Sequence, residues 1–137
     1  MNEQNFLVGR TLTGMKIADD KGALLFNTTD GDVLVRADGD CCSHTWVEHV
    51  ELPVSFPCVV SAVDDLDMRE PQDDGDYEVI KFYGCKIVTD KGDIVIDYRN
   101  SSNGYYGGNL VWPDDRYFYG GVYGQNVSNQ NWVEISP

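Results

Sequence analysis

The residues best equipped for chemistry lie between Asp40 and His49. The run Asp40-Cys41-Cys42-Ser43-His44, followed by His49, offers the thiol, hydroxyl and imidazole groups of zinc sites and Cys/His nucleophiles. A zinc site would need a second pair of ligands elsewhere, but Cys58 and Cys85 are isolated. The pattern therefore favours a helix cap. Metal binding by Cys41, Cys42, His44 and His49 is left open, as is an enzymatic reading through Cys42 and His44.

The acidic stretch 64–78 is a second candidate. It carries eight acidic residues and a single base, Arg69. A calcium loop of the EF-hand type beginning at Asp65 would need an oxygen ligand at its fifth position and glycine at its sixth, where this chain has Arg69 and Glu70. The calcium pattern fails, and a solvated loop is expected.

The third candidate is the aromatic, amide and glycine-rich run from Tyr98 to Gly108. Tyrosine rings are flat and carry a hydroxyl, arginine and asparagine make directional hydrogen bonds, and glycine lets a ligand approach the backbone. An adenine-like ring or a protein loop would suit such a surface, whereas a packed aromatic turn is the purely structural alternative. The predicted ligand- or partner-binding residues are Arg36, His44, Tyr98, Arg99, Asn100, Asn103, Tyr105 and Tyr106.

Hydrophobic alternation and turn residues predict the strands that position these groups. The predicted strands cover 6–18, 23–27, 33–37, 56–63, 77–89, 93–98 and 105–112. The first three are joined by Asp/Gly-containing turns, which favour a three-stranded antiparallel meander.

Residues 43–51 are predicted to form one short helix. Trp46, Val47 and Val50 have helical spacing, Thr45 and Glu48 resemble a capping box, and the helix would pack on the sheet through Trp46 and Val50. A single helical turn from Ser128 would carry Trp132 into the core. The predicted fold is therefore a single α+β domain over 1–137, a mainly antiparallel twisted sheet of about seven strands with this helix packed on it.

An internal echo links two hairpins. Aligning Gly14–Phe26 with Gly84–Ile96 gives six identities in thirteen positions, including the turn residues Asp-Lys-Gly. The two segments are predicted to be the same hairpin, and both duplication and convergence on a favourable turn remain open.

The charge balance restricts the classes of partner. With 23 acidic and 10 basic residues the chain has a formal net charge of −13. Direct nucleic-acid binding and attachment to anionic membranes are therefore not expected. The segment MNEQNFLVGR lacks the basic and apolar regions of a signal peptide, so a cytosolic protein with reduced cysteines is expected.

Residues 36–49 and 84–108 resemble an uncharacterised family of small acidic proteins, a domain of unknown function carried by tailed phages and some bacteria. The resemblance covers roughly residues 8–112 and implies a phage or prophage context in the host cytosol, without assigning an activity or catalytic residues. By analogy it suggests an accessory or counter-defence factor.

The expected function is that of a non-enzymatic phage binding protein. It would use 98–108, with Arg36 and His44 nearby, to hold a small nucleotide-like ligand or a host protein loop. The alternative is an acidic DNA mimic that occupies a host nucleic-acid-binding protein. No cofactor is expected, and homo-oligomerisation is left open.

Overall fold

In the computed structural model the chain forms a twisted, mostly antiparallel β-sheet. The residues that the structure describes are 3–39, 43–53, 55–66, 72–73, 79–102, 107–113, 118–119, 121–123 and 131–136. Among these residues no helix is long and apolar enough to cross a membrane.

Twelve strands follow a short 3-10 helix at Glu3–Leu7 within the described ranges. They are β1 (Thr11–Ala18), β2 (Ala23–Thr28), β3 (Gly31–Gly39), β4 (His44–Glu51), β5 (Cys58–Leu66), β6 (Gln72–Asp73), β7 (Val79–Thr89), β8 (Gly92–Ser102), β9 (Gly108–Val111), β10 (Phe118–Tyr119), β11 (Val122–Tyr123) and β12 (Trp132–Glu134).

The strand order is β10-β11-β3-β2-β1-β5-β7-β8-β4, with β12 beside β1, β6 beside β7 and β9 beside β3. Of the described ladders, only β11–β3 is parallel. Two blocks of strands meet at a narrow bridge between β1 and β5, where Thr11 pairs with Val59 and Leu12 with Cys58. The predicted antiparallel sheet and the β1–β2–β3 meander are confirmed, but the strand count exceeds seven.

The predicted helix at 43–51 is wrong, because this segment is strand β4. Thr45 and Val47 point inward as alternate residues of a strand, and a bulge between Val47 and His49 then makes Val50 the next inward residue. The bulge converts a two-residue period into a three-residue step, which imitates helical spacing. Trp46, predicted to anchor the helix on the sheet, instead lies on the outer face.

The end of the chain also differs from its prediction. Ser128 lies outside the described residues, and Trp132 belongs to strand β12, which pairs with β1. Its ring packs against a small cluster outside the main core, formed with Ala18, Leu25 and Leu34. The strand places this tryptophan through its register with Ala18, so no helical turn is needed there.

The main core is formed by inward residues from both blocks of strands. Met15 and Phe26 come from the first block, and Ile87 and Ile96 from the second; all four are fully buried. Trp112, just after β9, stacks on Phe26 with ring centroids 6.0 Å apart.

The two hairpins of the internal echo have the same register. Met15 pairs with Phe26 as Cys85 pairs with Ile96. Ile17 likewise pairs with Leu24, and Ile87 with Ile94. The prediction of matched hairpins holds for the strands.

The turns of these two hairpins differ. Lys21 takes a φ of 63° in the β1–β2 turn, whereas the β7–β8 turn runs from Thr89 to Gly92, with φ 134° at Gly92. The structural counterpart of that second turn is Thr28–Gly31 between β2 and β3, because each threonine hydroxyl donates to the carbonyl oxygen of the closing glycine. Gly31 likewise has φ 120°, a conformation that favours glycine.

Candidate functional site

Several strand ends that flank segments singled out by the sequence lie together at one end of the sheet. Gly39 at the end of β3 pairs with Gly108 at the start of β9. His44, the first residue of β4, pairs with Ser101, and the next residue of β8, Ser102, pairs with Val79. The described ends of β3, β4, β7, β8 and β9 therefore lie beside one another. We call this region the loop end.

Strand alternation divides the predicted binding residues of β8 between two faces. Tyr98 and Asn100 point inward and are 7% and 0% exposed, whereas the side chain of the intervening Arg99 is 27% exposed on the outer face. Neighbours in sequence on a strand point to opposite faces, so these three cannot share one surface.

The inward residues of β8 are held by ring packing and by side-chain hydrogen bonding. Tyr98 stacks on Tyr83 with centroids 5.1 Å apart, and burial raises the pKa of its phenol above the ordinary value. Asn100 Nδ2 donates to Thr45 Oγ1 at 2.9 Å, while Asn100 Oδ1 is buried and has no hydrogen-bond partner among the residues that the structure describes. The interior thus changes from apolar to polar toward the loop end.

On the outer face, β4 and β8 present an aromatic and charged group that we call the Trp46 face: His44, Trp46, Glu48, Asp97 and Arg99. The buried ring of Phe82 on β7 lies beneath Arg99. The half-buried Trp46 stacks on the exposed His44 with ring centroids 5.4 Å apart and an interplanar angle of 17°. Its indole Nε1 donates to Glu48 Oε2 at 2.7 Å, which fixes the orientation of the ring.

Arg99 occupies the centre of the Trp46 face. Its guanidinium lies 3.3 Å from Asp97 and 3.8 Å from Glu48, and it stands 4.9 Å from the ring centroid of Phe82. The arginine is directly opposite Trp46 on β4 and Phe82 on β7. The register of three adjacent strands thus creates this group.

The carboxylate of Glu48 is stabilised in its charged form. The indole hydrogen bond from Trp46, helped by the charges of Arg99, Lys21 and His49, holds the pKa of Glu48 below its ordinary value despite some burial. Glu48 therefore stays ionised at neutral pH, and the Trp46 face is already ordered before anything binds.

The structure brings only some of the predicted site residues together. His44 and Arg99 share the Trp46 face, and Tyr98 and Asn100 lie beneath it. Arg36 lies on β3, opposite Ala23 and Val111, on the side of the strand that Leu34 uses for the smaller apolar cluster. Asn103, Tyr105 and Tyr106 lie outside the described residues.

Sequence reasoning missed Trp46, Glu48, Phe82 and Asp97 as neighbours of Arg99. The available signal was the run of β-branched and aromatic residues in Thr45-Trp46-Val47, which favours a strand over a helix. The ladder that joins β4 to β8 is not encoded in any local pattern.

Metal ligation and thiol chemistry find no support among the residues described. In that part of the chain no three His, Cys, Asp or Glu side chains are grouped to hold a metal ion. Asp40, Cys41 and Cys42 lie outside it. Burial raises the pKa of the Cys58 thiol and raises that of Cys85 to about 12, so neither forms the nucleophilic thiolate at neutral pH.

These features define a β-sheet protein of the antiparallel class with an ordered aromatic and charged patch on one outer face. The chain belongs to the family described as a domain of unknown function, DUF7448, whose model matches residues 5–112. The match includes the Trp46 face and the loop end and stops at Trp112, before β10. Comparison with curated proteins finds no match, and comparison with solved structures finds none either.

Proposed function

We propose that this chain is a non-enzymatic binding protein of phage type that docks a loop of a host protein on the Trp46 face. The observation that carries the proposal is the fixed orientation of the half-buried Trp46 between His44 and Glu48. Tryptophan and arginine dominate binding energy at protein interfaces, and a side chain ordered before binding loses little conformational entropy.

The chemistry of the face favours a protein loop over a nucleotide. Glu48 and Asp97 flank Arg99, and both carboxylates would repel a phosphate that approached the guanidinium. A protein loop can instead cover the aromatic pair and hydrogen-bond to the rim. The phage context and a counter-defence role in the host cytosol are part of the proposal and rest on the family resemblance of residues 36–49 and 84–108.

The test uses the immobilised chain and a bacterial host lysate, followed by affinity measurement with the purified captured protein. Trp46→Ala is expected to raise the dissociation constant about 30-fold, which is a typical loss of affinity for a central interface tryptophan. Val133→Ala removes another exposed apolar side chain, on β12, and is expected to leave the affinity unchanged. Equal affinity of the wild type and Trp46→Ala would refute the assignment of this face.

The same samples distinguish the acidic-decoy alternative, which has its own supporting observation. Asp64 and Asp65 are adjacent exposed acids at the end of β5, in a chain of net charge −13. The affinity of a decoy complex would fall steeply with rising salt concentration, because salt screens exposed charges. The same affinity would be unchanged by Trp46→Ala. Native mass spectrometry with nucleotide second messengers tests the small-ligand alternative. An adduct that forms with the wild type and is lost in Trp46→Ala would show that the Trp46 face binds a nucleotide and not a protein loop.

A further inference from the structure

Strand β12 pairs with the edge of β1 that faces away from β2. Three residues of each strand form the ladder: Lys16, Ile17 and Ala18 with Glu134, Val133 and Trp132. At one end the Asp19 N–H donates to the Asn131 carbonyl oxygen at 2.9 Å. At the other end the Ile135 N–H donates to the Met15 carbonyl oxygen at 2.9 Å. The edge of β1 from Met15 to Asp19 is therefore a strand-accepting edge, on which main-chain hydrogen bonds seat β12.

Two apolar side chains anchor β12, one on each face of the sheet. Trp132 packs on the small cluster outside the main core, which includes Leu25 and Leu34. Ile135 packs against the main core. Residues separated by an odd number of positions along a strand point to opposite faces, so this pair contacts the sheet on both sides. The edge of β1 thus has one apolar contact site for an aromatic residue and another for an aliphatic residue three positions later.

Two polar pairings add selectivity to this edge. Asn131 Nδ2 donates to Asp19 Oδ2 at 3.4 Å. Glu134 lies directly opposite Lys16, and a cross-strand pair of opposite charges favours the register that creates it. A slip of one residue would exchange the faces of both anchors as well. The edge therefore selects for the order amide, aromatic, any residue, acid, aliphatic.

β12 is held less firmly than the neighbouring strands of the sheet. Val133 is 54% exposed, and Asn131 and Glu134 are exposed as well. By contrast, Leu25 and Phe26 on β2 are 4% and 0% exposed. A short strand with few buried side chains opens at a lower free energy than the whole fold. Release of β12 is therefore a local event that frees the edge of β1.

The edge and its occupant come from different parts of the chain. The family match ends at Trp112, so β1, β2 and β3 lie inside it and β12 lies outside it. The family domain thus carries an acceptor edge that this chain fills with a segment from beyond the family match.

We propose that the edge of β1 from Met15 to Asp19 is a peptide-binding groove whose resident ligand, β12, is displaced by a strand of a partner protein. The partner strand has the chemistry of residues 131–135: an amide donor, an aromatic residue, any residue, an acid and an aliphatic residue. Because β12 occupies the groove in the free chain, it lowers the apparent affinity for the partner strand. The groove belongs to the first block of strands and the Trp46 face to the second, so this site is independent of the host-loop proposal.

A labelled peptide with the sequence of residues 131–137, titrated against the full chain by fluorescence anisotropy, tests the groove. The double variant Trp132→Ala/Ile135→Ala removes both anchors of the resident strand and leaves the residues of β1, β2 and β3 unchanged. This variant is expected to bind the peptide at least about tenfold more tightly than the wild type does, because its own strand competes less. A peptide that carries the same two substitutions is the matched control and is expected not to bind. In NMR spectra the unaltered peptide should shift the amide signals of Met15 and Asp19 and leave that of Arg99 in place.

Three outcomes would overturn the proposal. The first is a folded double variant that does not bind the peptide, or that shows shifts at Arg99 in place of Met15 and Asp19. The second is wild-type amide exchange as slow at Ile135 as at Phe26, because a strand that opens only with the whole fold cannot be displaced. The third is a wild-type dimer, seen by light scattering and lost in the double variant, which would assign the groove to a second copy of the chain. If the double variant does not fold, Trp132→Ala alone keeps the core contact of Ile135 and is expected to bind the peptide about threefold more tightly than the wild type, with equal affinity as the refuting result.

Discussion

Gly108→Ala is expected to lower the free energy of unfolding by about 3 kcal/mol, as overpacking of a filled site does. The added Cβ would overlap Thr45 Oγ1, stand 2.9 Å from Thr45 Cγ2 and lie 3.2 Å from Asn100 Cβ. Thr45 and Asn100 are buried and cannot swing aside, so β9 must move away from the β4–β8 ladder. Urea unfolding followed by tryptophan fluorescence measures the loss.

The neighbouring Asn109→Ala provides a matched control, since Asn109 is exposed on the same short strand. Its effect is expected to stay within about 0.5 kcal/mol. Adding Thr45→Ala to Gly108→Ala removes the overlapping atoms and should recover part of the stability, giving a coupling energy of about 1 kcal/mol or more in a double-mutant cycle. Additive effects of the two substitutions, or a Gly108→Ala variant as stable as the wild type, would show that β9 and β4 are not in tight contact at Gly108 and Thr45.

Raising the pH above about 9 is expected to destabilise the fold by about 4 kcal/mol before pH 11 is reached. Burial raises the pKa of Cys85 from 9.0 to about 12 and raises that of Tyr98 above 10.0. Below these ordinary values both groups are protonated in both states. Above them the unfolded chain releases its protons while the folded chain keeps them, so stability falls with rising pH.

Urea unfolding at a series of alkaline pH values measures this loss, and the double variant Cys85→Ala/Tyr98→Phe is the control. Its stability at neutral pH will be lower because of lost packing, but its slope against pH should be much flatter than that of the wild type. Identical slopes would mean that the folded chain accommodates the thiolate and the phenolate, contrary to the burial of both groups.

Local sequence patterns were sufficient for the hairpins and insufficient for the site. Turn residues and alternating apolar residues located β1, β2, β3, β7 and β8, because a hairpin is encoded by neighbouring residues. The equivalence of the turns Thr28–Gly31 and Thr89–Gly92 was also visible in their Thr-x-x-Gly spacing. The shared Asp-Lys-Gly sequence instead predicted that the β1–β2 and β7–β8 turns are alike, and these two turns differ.

The segment 44–51 illustrates why the remainder could not be predicted. A bulged strand and a short helix place Val47 and Val50 at the same spacing, and only the ladder with β8 distinguishes them. That ladder joins residues about fifty positions apart, so Trp46 and Arg99 become neighbours through tertiary pairing alone. The cluster of tyrosines and asparagines in 98–108 was treated as one surface, although alternation along β8 separates Arg99 from Tyr98 and Asn100.

The unequal ladders of the sheet imply an order of folding. β7 and β8 form eleven consecutive pairs around a two-residue turn, whereas β1 and β5 are joined by two pairs between residues far apart in the chain. Hairpins close in microseconds, while distant pairings must first overcome the entropy of closing a long loop. We therefore expect the amides of Ile87 and Ile96 to become protected before those of Leu12 and Val60 when refolding is followed by pulsed hydrogen exchange. Simultaneous protection of all four amides would contradict this order. The two blocks would then acquire their hairpins independently, and joining them at the narrow bridge would set the folding rate.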